Sequence, residues 1–99
     1  MQLHFTGRHI DITPAIKDSV TKKLERLKRH ENIINKINII LQLDKENHIA
    51  EATVFLKGGT DIHASAKTGD MYSSIDELAD KLIHQITKHK EKMTDHRSS

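Results

Sequence analysis

At the start of the chain Leu3 and Phe5 alternate with Gln2, His4 and Thr6, the two-residue period of a strand with one buried side, which Gly7 is expected to end. Thr13-Pro14 then pairs a side-chain cap with the first helical position, where proline's missing N–H costs nothing. The helix that starts there is predicted to run to about His30, with Ile16, Val20, Leu24 and Leu27 as its apolar stripe and Lys22, Arg26 and Arg29 almost opposite. From Ile37 to Leu43 every second residue is apolar. Lys45-Glu46-Asn47 supplies a turn, and Ala50, Ala52, Val54 and Leu56 continue the alternation in a second strand whose small residues leave room for a helix above. Gly58-Gly59 tolerates the positive φ of a hairpin, and Ile62, Ala64 and Ala66 mark a third strand, completing an antiparallel meander. Asp70 caps a last helix, Met71 to about Met93, with Met71, Ile75, Leu78, Ala79, Leu82, Ile83 and Ile86 on its apolar face and Lys81, His84, Lys88 and Lys92 opposite.

The order β-α-β-β-β-α is satisfied by an α+β two-layer sandwich, a four-stranded sheet with both helices packed on one face. Ninety-nine residues suffice for one core, so a single domain is expected over 1–93, with 94–99 as a disordered tail. If both helices bury their stripes on the same sheet face, their basic sides share one side of the molecule. The prediction is a cationic two-helix surface.

The net charge of +2 is small, so distribution matters more than total. Residues 17–30 hold Lys17, Lys22, Lys23, Arg26, Lys28 and Arg29 against Asp18 and Glu25, while Lys81, Lys88, Lys90 and Lys92 crowd the last helix. Such surfaces bind phosphate through counterion release. With only Phe5, Phe55 and Tyr72 as aromatics, folded or duplex RNA is favoured over single strands that need stacking platforms. Arg8, in the expected loop before the first helix, and His84, on the last, are further candidate RNA contacts.

Other chemistry finds little support. There is no cysteine, and the eight histidines lack the four-residue helical spacing of a zinc helix, so neither metal nor cofactor is expected. Gly58-Gly59-Thr60 lacks the lysine of a phosphate-binding loop and precedes a strand. No convergent nucleophile and base argue for an enzyme or a small-molecule substrate. No apolar run approaches a membrane span, and the amino terminus does not read as a secretory signal; a cytoplasmic protein is expected.

The opening Thr6-Gly7-Arg8-His9-Ile10-Asp11-Ile12-Thr13-Pro14-Ala15-Ile16, the stretch Ala50-Glu51-Ala52-Thr53 and, most specifically, Asp70-Met71-Tyr72-Ser73-Ser74-Ile75-Asp76 resemble the ribosome hibernation promoting factors and ribosome-associated inhibitor proteins of bacteria. Asp80 to Lys90 also fits, so the resemblance covers Met1 to Met93. It implies a fold like a double-stranded-RNA-binding domain, seated on the small ribosomal subunit between head and body over the messenger and transfer-RNA sites. It also implies inhibition of translation in stationary phase or stress. Carried over by position, the RNA-facing residues are Lys22, Lys23, Arg26 and Arg29 on the first helix and Lys81, Lys88, Lys90 and Lys92 on the second. Asp70, Met71, Tyr72 and Asp76 belong to the motif, where capping and anchoring the helix are their physical roles. A chain ending at Ser99, without a long acidic tail or a dimerisation domain, is similar to the short type, which acts with a small ribosome modulation factor to favour paired, inactive ribosomes. The stretch His30-Glu31-Asn32 departs from the aromatic residue often found there. A general structured-RNA-binding module and a protein-binding modulator of a sigma factor are the alternatives.

Overall fold

In the computed structural model, which describes the backbone of residues 2–98 and side chains to residue 92, the elements are β1 (Gln2–Arg8), α1 (Pro14–Leu24), a 3₁₀ segment (Glu25–Ile33), β2 (Ile34–Asp44), β3 (Asn47–Leu56), β4 (Asp61–Thr68) and α2 (Met71–Ser98). The tail expected over 94–99 lies outside the residues described in full. The strands form one sheet in the order β1-β2-β3-β4. β2, β3 and β4 are the antiparallel meander, and β1 lies parallel to β2, a pairing that needs the crossover supplied by α1 and the 3₁₀ segment.

Because strand side chains alternate, the register sorts the sheet into two faces. Three rows cross the buried one: Leu3, Ile37, Val54 and Ile62; Phe5, Ile39, Ala52 and Ala64; Gly7, Leu41, Ala50 and Ala66. Each row ends in a small residue or Ile62 on β4, and α2 packs on β4 and β3 at that side. The helices add Ile16, Val20, Leu24, Leu27, Met71, Ile75, Leu78, Ala79, Leu82 and Ile86 to one continuous core. The two-layer sandwich expected from the sequence is therefore the fold found, with Ile83 only half-buried at the edge of its helix.

Both predicted caps are present. Thr13 Oγ1 accepts from the Ile16 N–H at 3.2 Å, with Pro14 in the first turn, and Asp70 Oδ2 accepts from the Ser73 N–H at 3.0 Å. Several boundaries differ, and α2 is helical to Ser98 where the sequence set its end at about Met93. The first helix leaves α geometry at Leu24 and continues as 3₁₀ to Ile33, rather than as one α-helix to about His30. Leu24, Leu27 and His30 are all buried at a spacing of three, and a three-residue turn keeps such positions on one face where an α-helix would rotate them away. β1 also continues through Gly7 to Arg8. Gly7 is needed for a different reason: a Cβ there would collide with the backbone carbonyl of Ile10 as the chain folds back through His9, whose φ is +60°.

Candidate nucleic-acid interface

The helix layer carries most of the cations singled out in the sequence, but not as one stripe. On α2, Asp76, Asp80, Ile83 and Lys90 follow one side by steps of four, three and seven, and Lys81, Gln85, Lys88 and Lys92 follow another. Side-chain contacts fix both sides. Lys23 Nζ lies 2.6 Å from Asp76 Oδ1, and Arg26 Nη2 donates to Asp80 Oδ1 at 2.6 Å, so the first side faces α1 and the 3₁₀ segment. Lys81 Nζ donates to the Ser65 carbonyl at 2.7 Å and Gln85 Nε2 to that of His63 at 3.1 Å, so the second side faces the outer edge of β4.

Two cationic tracks result. Lys22, Lys23 and Arg26, with Asp76 and Asp80, line an open groove of about 550 Å³ along the α1–α2 seam. Arg29 follows Arg26 by one 3₁₀ turn, and Lys90 borders the same side of α2. Lys88 and Lys92 line another, smaller depression of about 210 Å³ with Gln85 and His89, along the flank that Lys81 begins. His84, exposed and four residues past Asp80, stands on the ridge between the tracks.

This corrects the expectation of a single cationic surface. Lys81, Lys88 and Lys92 stand on the far flank, while the seam-facing positions of the helix carry Asp76 and Asp80, with Lys90 farther along. Arg8 is apart from both tracks: it ends β1 rather than lying in a loop, and its pairing with Gln42 places it on the sheet face opposite the helices.

The motif residues divide their tasks. Asp70 caps α2, Met71 is core, and Asp76 holds Lys23. Tyr72 is 48% exposed, a large side chain left open to solvent, one turn before Asp76 on the seam side. Ser74, notable in the sequence only as part of the motif stretch, is fully buried and donates from Oγ to the His48 carbonyl at 2.6 Å, with Thr68 Oγ1 at 2.7 Å. A serine inside an otherwise apolar helical stripe, flanked by Met71, Ile75 and Leu78, was the available signal.

His30 stood out in the sequence only as the helix end and as a departure from the aromatic residue often found there. It is buried where the 3₁₀ segment meets the core, and its Nδ1 has no hydrogen-bond partner. Burial, followed by the nearby charges of Lys90 and Arg29, lowers its pKa below the usual 6.5. The unfolded chain then takes up a proton near pH 6.5 that the folded one refuses, so this stability is intact above that pH and lost as pH falls below it. The expected result is a urea midpoint that drops between pH 7.5 and 5.5, less so in His30→Phe, which keeps a ring without titrating.

Among the described residues no three histidine, aspartate or glutamate side chains converge as a metal site, and no helix is long and apolar enough to cross a membrane.

A family model described as sigma 54 modulation protein / S30EA ribosomal protein matches residues 3–94. The ribosome hibernation promoting factor of Klebsiella oxytoca is 47% identical over 96 residues, covering 97% of this chain and all of that protein. Among solved structures, a ribosomal subunit interface protein from Coxiella burnetii superposes with a TM-score of 0.85 at 37% identity, covering 92% of this chain and 99% of that one. The N-terminal domain of Thermus thermophilus Protein Y gives 0.81 at 33% identity, covering 90% and 99%.

Proposed function

The chain belongs to the sigma 54 modulation protein / S30EA ribosomal protein family, and from that premise we propose that it is a ribosome hibernation factor that binds the small ribosomal subunit through its helix layer. The bound domain occupies space that messenger and transfer RNA need, so inhibition is steric and calls for no catalytic group. The observation that carries the reading is the pair of cationic tracks, Lys22, Lys23, Arg26 and Arg29 along the seam and Lys81, Lys88 and Lys92 along the outer flank of α2. Two tracks on opposite sides of one helix suit RNA that wraps the helix layer, because each neutralised phosphate adds affinity without reading sequence. Lys90, His84 and Tyr72 sit between or beside the tracks, where ribosomal RNA or protein meets them. In the cell the protein is cytoplasmic and ribosome-associated, and a small modulation factor joins it in pairing idle ribosomes.

Co-sedimentation with small subunits, large subunits and an unrelated RNA duplex, across a salt series, tests this directly. Saturable binding to the small subunit alone at physiological salt is expected, with translation of a reporter messenger falling in parallel. Equal, salt-labile binding to all three would leave a general RNA-binding module in its place.

A further inference from the structure

We propose that Asp76 and Asp80 act as a selectivity filter for the seam, withholding Lys23 and Arg26 from uniform phosphate tracks and releasing them only to RNA that also offers hydrogen-bond donors. The proposal rests on the ribosome-binding reading and adds the chemistry by which that surface chooses its RNA.

Among the described residues, the groove is lined by three cations and two carboxylates. Its two contacts of 2.6 Å each tie one cation of α1 or the 3₁₀ segment to one aspartate of α2. All four side chains are roughly half or more exposed, at 48% and 53% for Lys23 and Asp76 and 55% and 71% for Arg26 and Asp80, so the pairs contribute little to stability and leave both partners within reach of a ligand. An exposed pair of that kind, placed in the middle of an anion-binding groove, has its main effect on the ligand.

Phosphate affinity comes largely from releasing the cations condensed on the nucleic acid. A phosphate that takes Lys23 from Asp76 leaves a bare carboxylate beside it, which repels the phosphate and draws a cation back from solution. The net release is then close to nil. Lys22 lines the same groove without an ion pair among the described residues, so it carries no such penalty. A folded RNA that places a ribose hydroxyl or a base amino group beside the phosphate satisfies both signs at once: the donor goes to the aspartate and the phosphate to the cation. The aspartates meanwhile hold Lys23 and Arg26 in place before binding, and the Arg26 guanidinium, engaged through Nη2, retains further N–H donors.

The test uses the full chain and a DNA duplex of about 16 base pairs, whose phosphate tracks carry no ribose hydroxyl, with anisotropy read across a salt series. Asp76→Asn with Asp80→Asn is expected to raise duplex affinity about tenfold at low salt and to steepen the log–log salt dependence by about one unit per freed cation. Asp44→Asn with Asp61→Asn, an equal charge change at exposed positions that have no ion pair among the described residues, is expected to raise it far less. Lys23→Gln should cost little duplex affinity in the native background and several-fold in Asp76→Asn. If the double variant melts early, Asp80→Asn alone, paired with Arg26→Gln, gives the same comparison.

Equal gains in the two double variants would reduce the effect to net charge and overturn the proposal. So would no gain, including no measurable duplex binding by any protein, or an equal cost of Lys23→Gln in both backgrounds. Failure of the native protein to sediment with small subunits, alongside the expected duplex gain, would remove the ribosomal reading and leave the filter as a property of the groove.

Discussion

Reversing Lys22, Arg26 and Lys88 to glutamate is expected to lower small-subunit affinity by at least roughly a hundredfold, the scale set by losing several phosphate contacts and adding repulsion at each. The three positions sample both tracks, two in the seam and one on the outer flank of α2. All are exposed, and the one ion pair broken, Arg26 with Asp80, is worth about 0–1 kcal/mol at the surface, so circular dichroism and melting should stay close to native. The separate tracks also predict divisible effects. Lys22→Glu with Arg26→Glu and Lys88→Glu with Lys92→Glu should each weaken binding partially, and each should flatten its salt dependence. Saturable small-subunit binding retained by the triple variant would rule out the helix layer as the contact.

The faces of the elements were legible from the sequence, and the neighbours were not. Alternation in 37–43, 50–56 and 62–66 marks which residues point inward, and the register bears out each row. Alternation says nothing of which strand lies beside which, so the parallel pairing of β1 with β2 emerges only in three dimensions. Thr13-Pro14 and Asp70 were readable because capping is a local contact between residues three apart. The seam was not, for the opposite reason: Lys23 with Asp76 and Arg26 with Asp80 join residues more than fifty positions apart, and their match depends on how two helices sit against each other. The same holds for Lys81, whose long side chain bends to the Ser65 carbonyl instead of standing on the outer face. A helical wheel treats every position as a radial spoke, which long lysines near a sheet edge need not obey. His30 was hidden by composition: among Lys28, Arg29 and Glu31 it reads as one more polar residue, and only the three-residue period of the segment turns it inward.

Leu82→Ala is expected to destabilise the fold by about 2–5 kcal/mol, the range for a leucine whose removal leaves a cavity. Leu82 has no exposed surface and belongs to the stripe with which α2 covers the sheet, between Leu78 and Ile86. The strands on which α2 packs, β3 and β4, bury Ala52, Ala64 and Ala66, side chains too short to fill a vacated space, so relaxation is limited and the loss should fall in the upper half of the range. For a chain of this size that corresponds to a fall in melting temperature of roughly 10–30 °C. Leu24→Ala, equally buried at the junction of α1 with the 3₁₀ segment, should lose a comparable amount, though its helix ends there and can shift to close part of the gap. Urea denaturation checks both, with the slope of the transition unchanged if the native state alone is affected. The loss should also carry over to binding, because the two tracks are held at their spacing by the packing of α2 on the sheet. Leu82→Ala is therefore expected to weaken small-subunit binding at temperatures where the native state begins to melt and to leave it intact well below, whereas the charge reversal acts at every temperature. Little loss of stability in Leu82→Ala would mean that α2 does not pack as described, and with it the separation of the two tracks would fall.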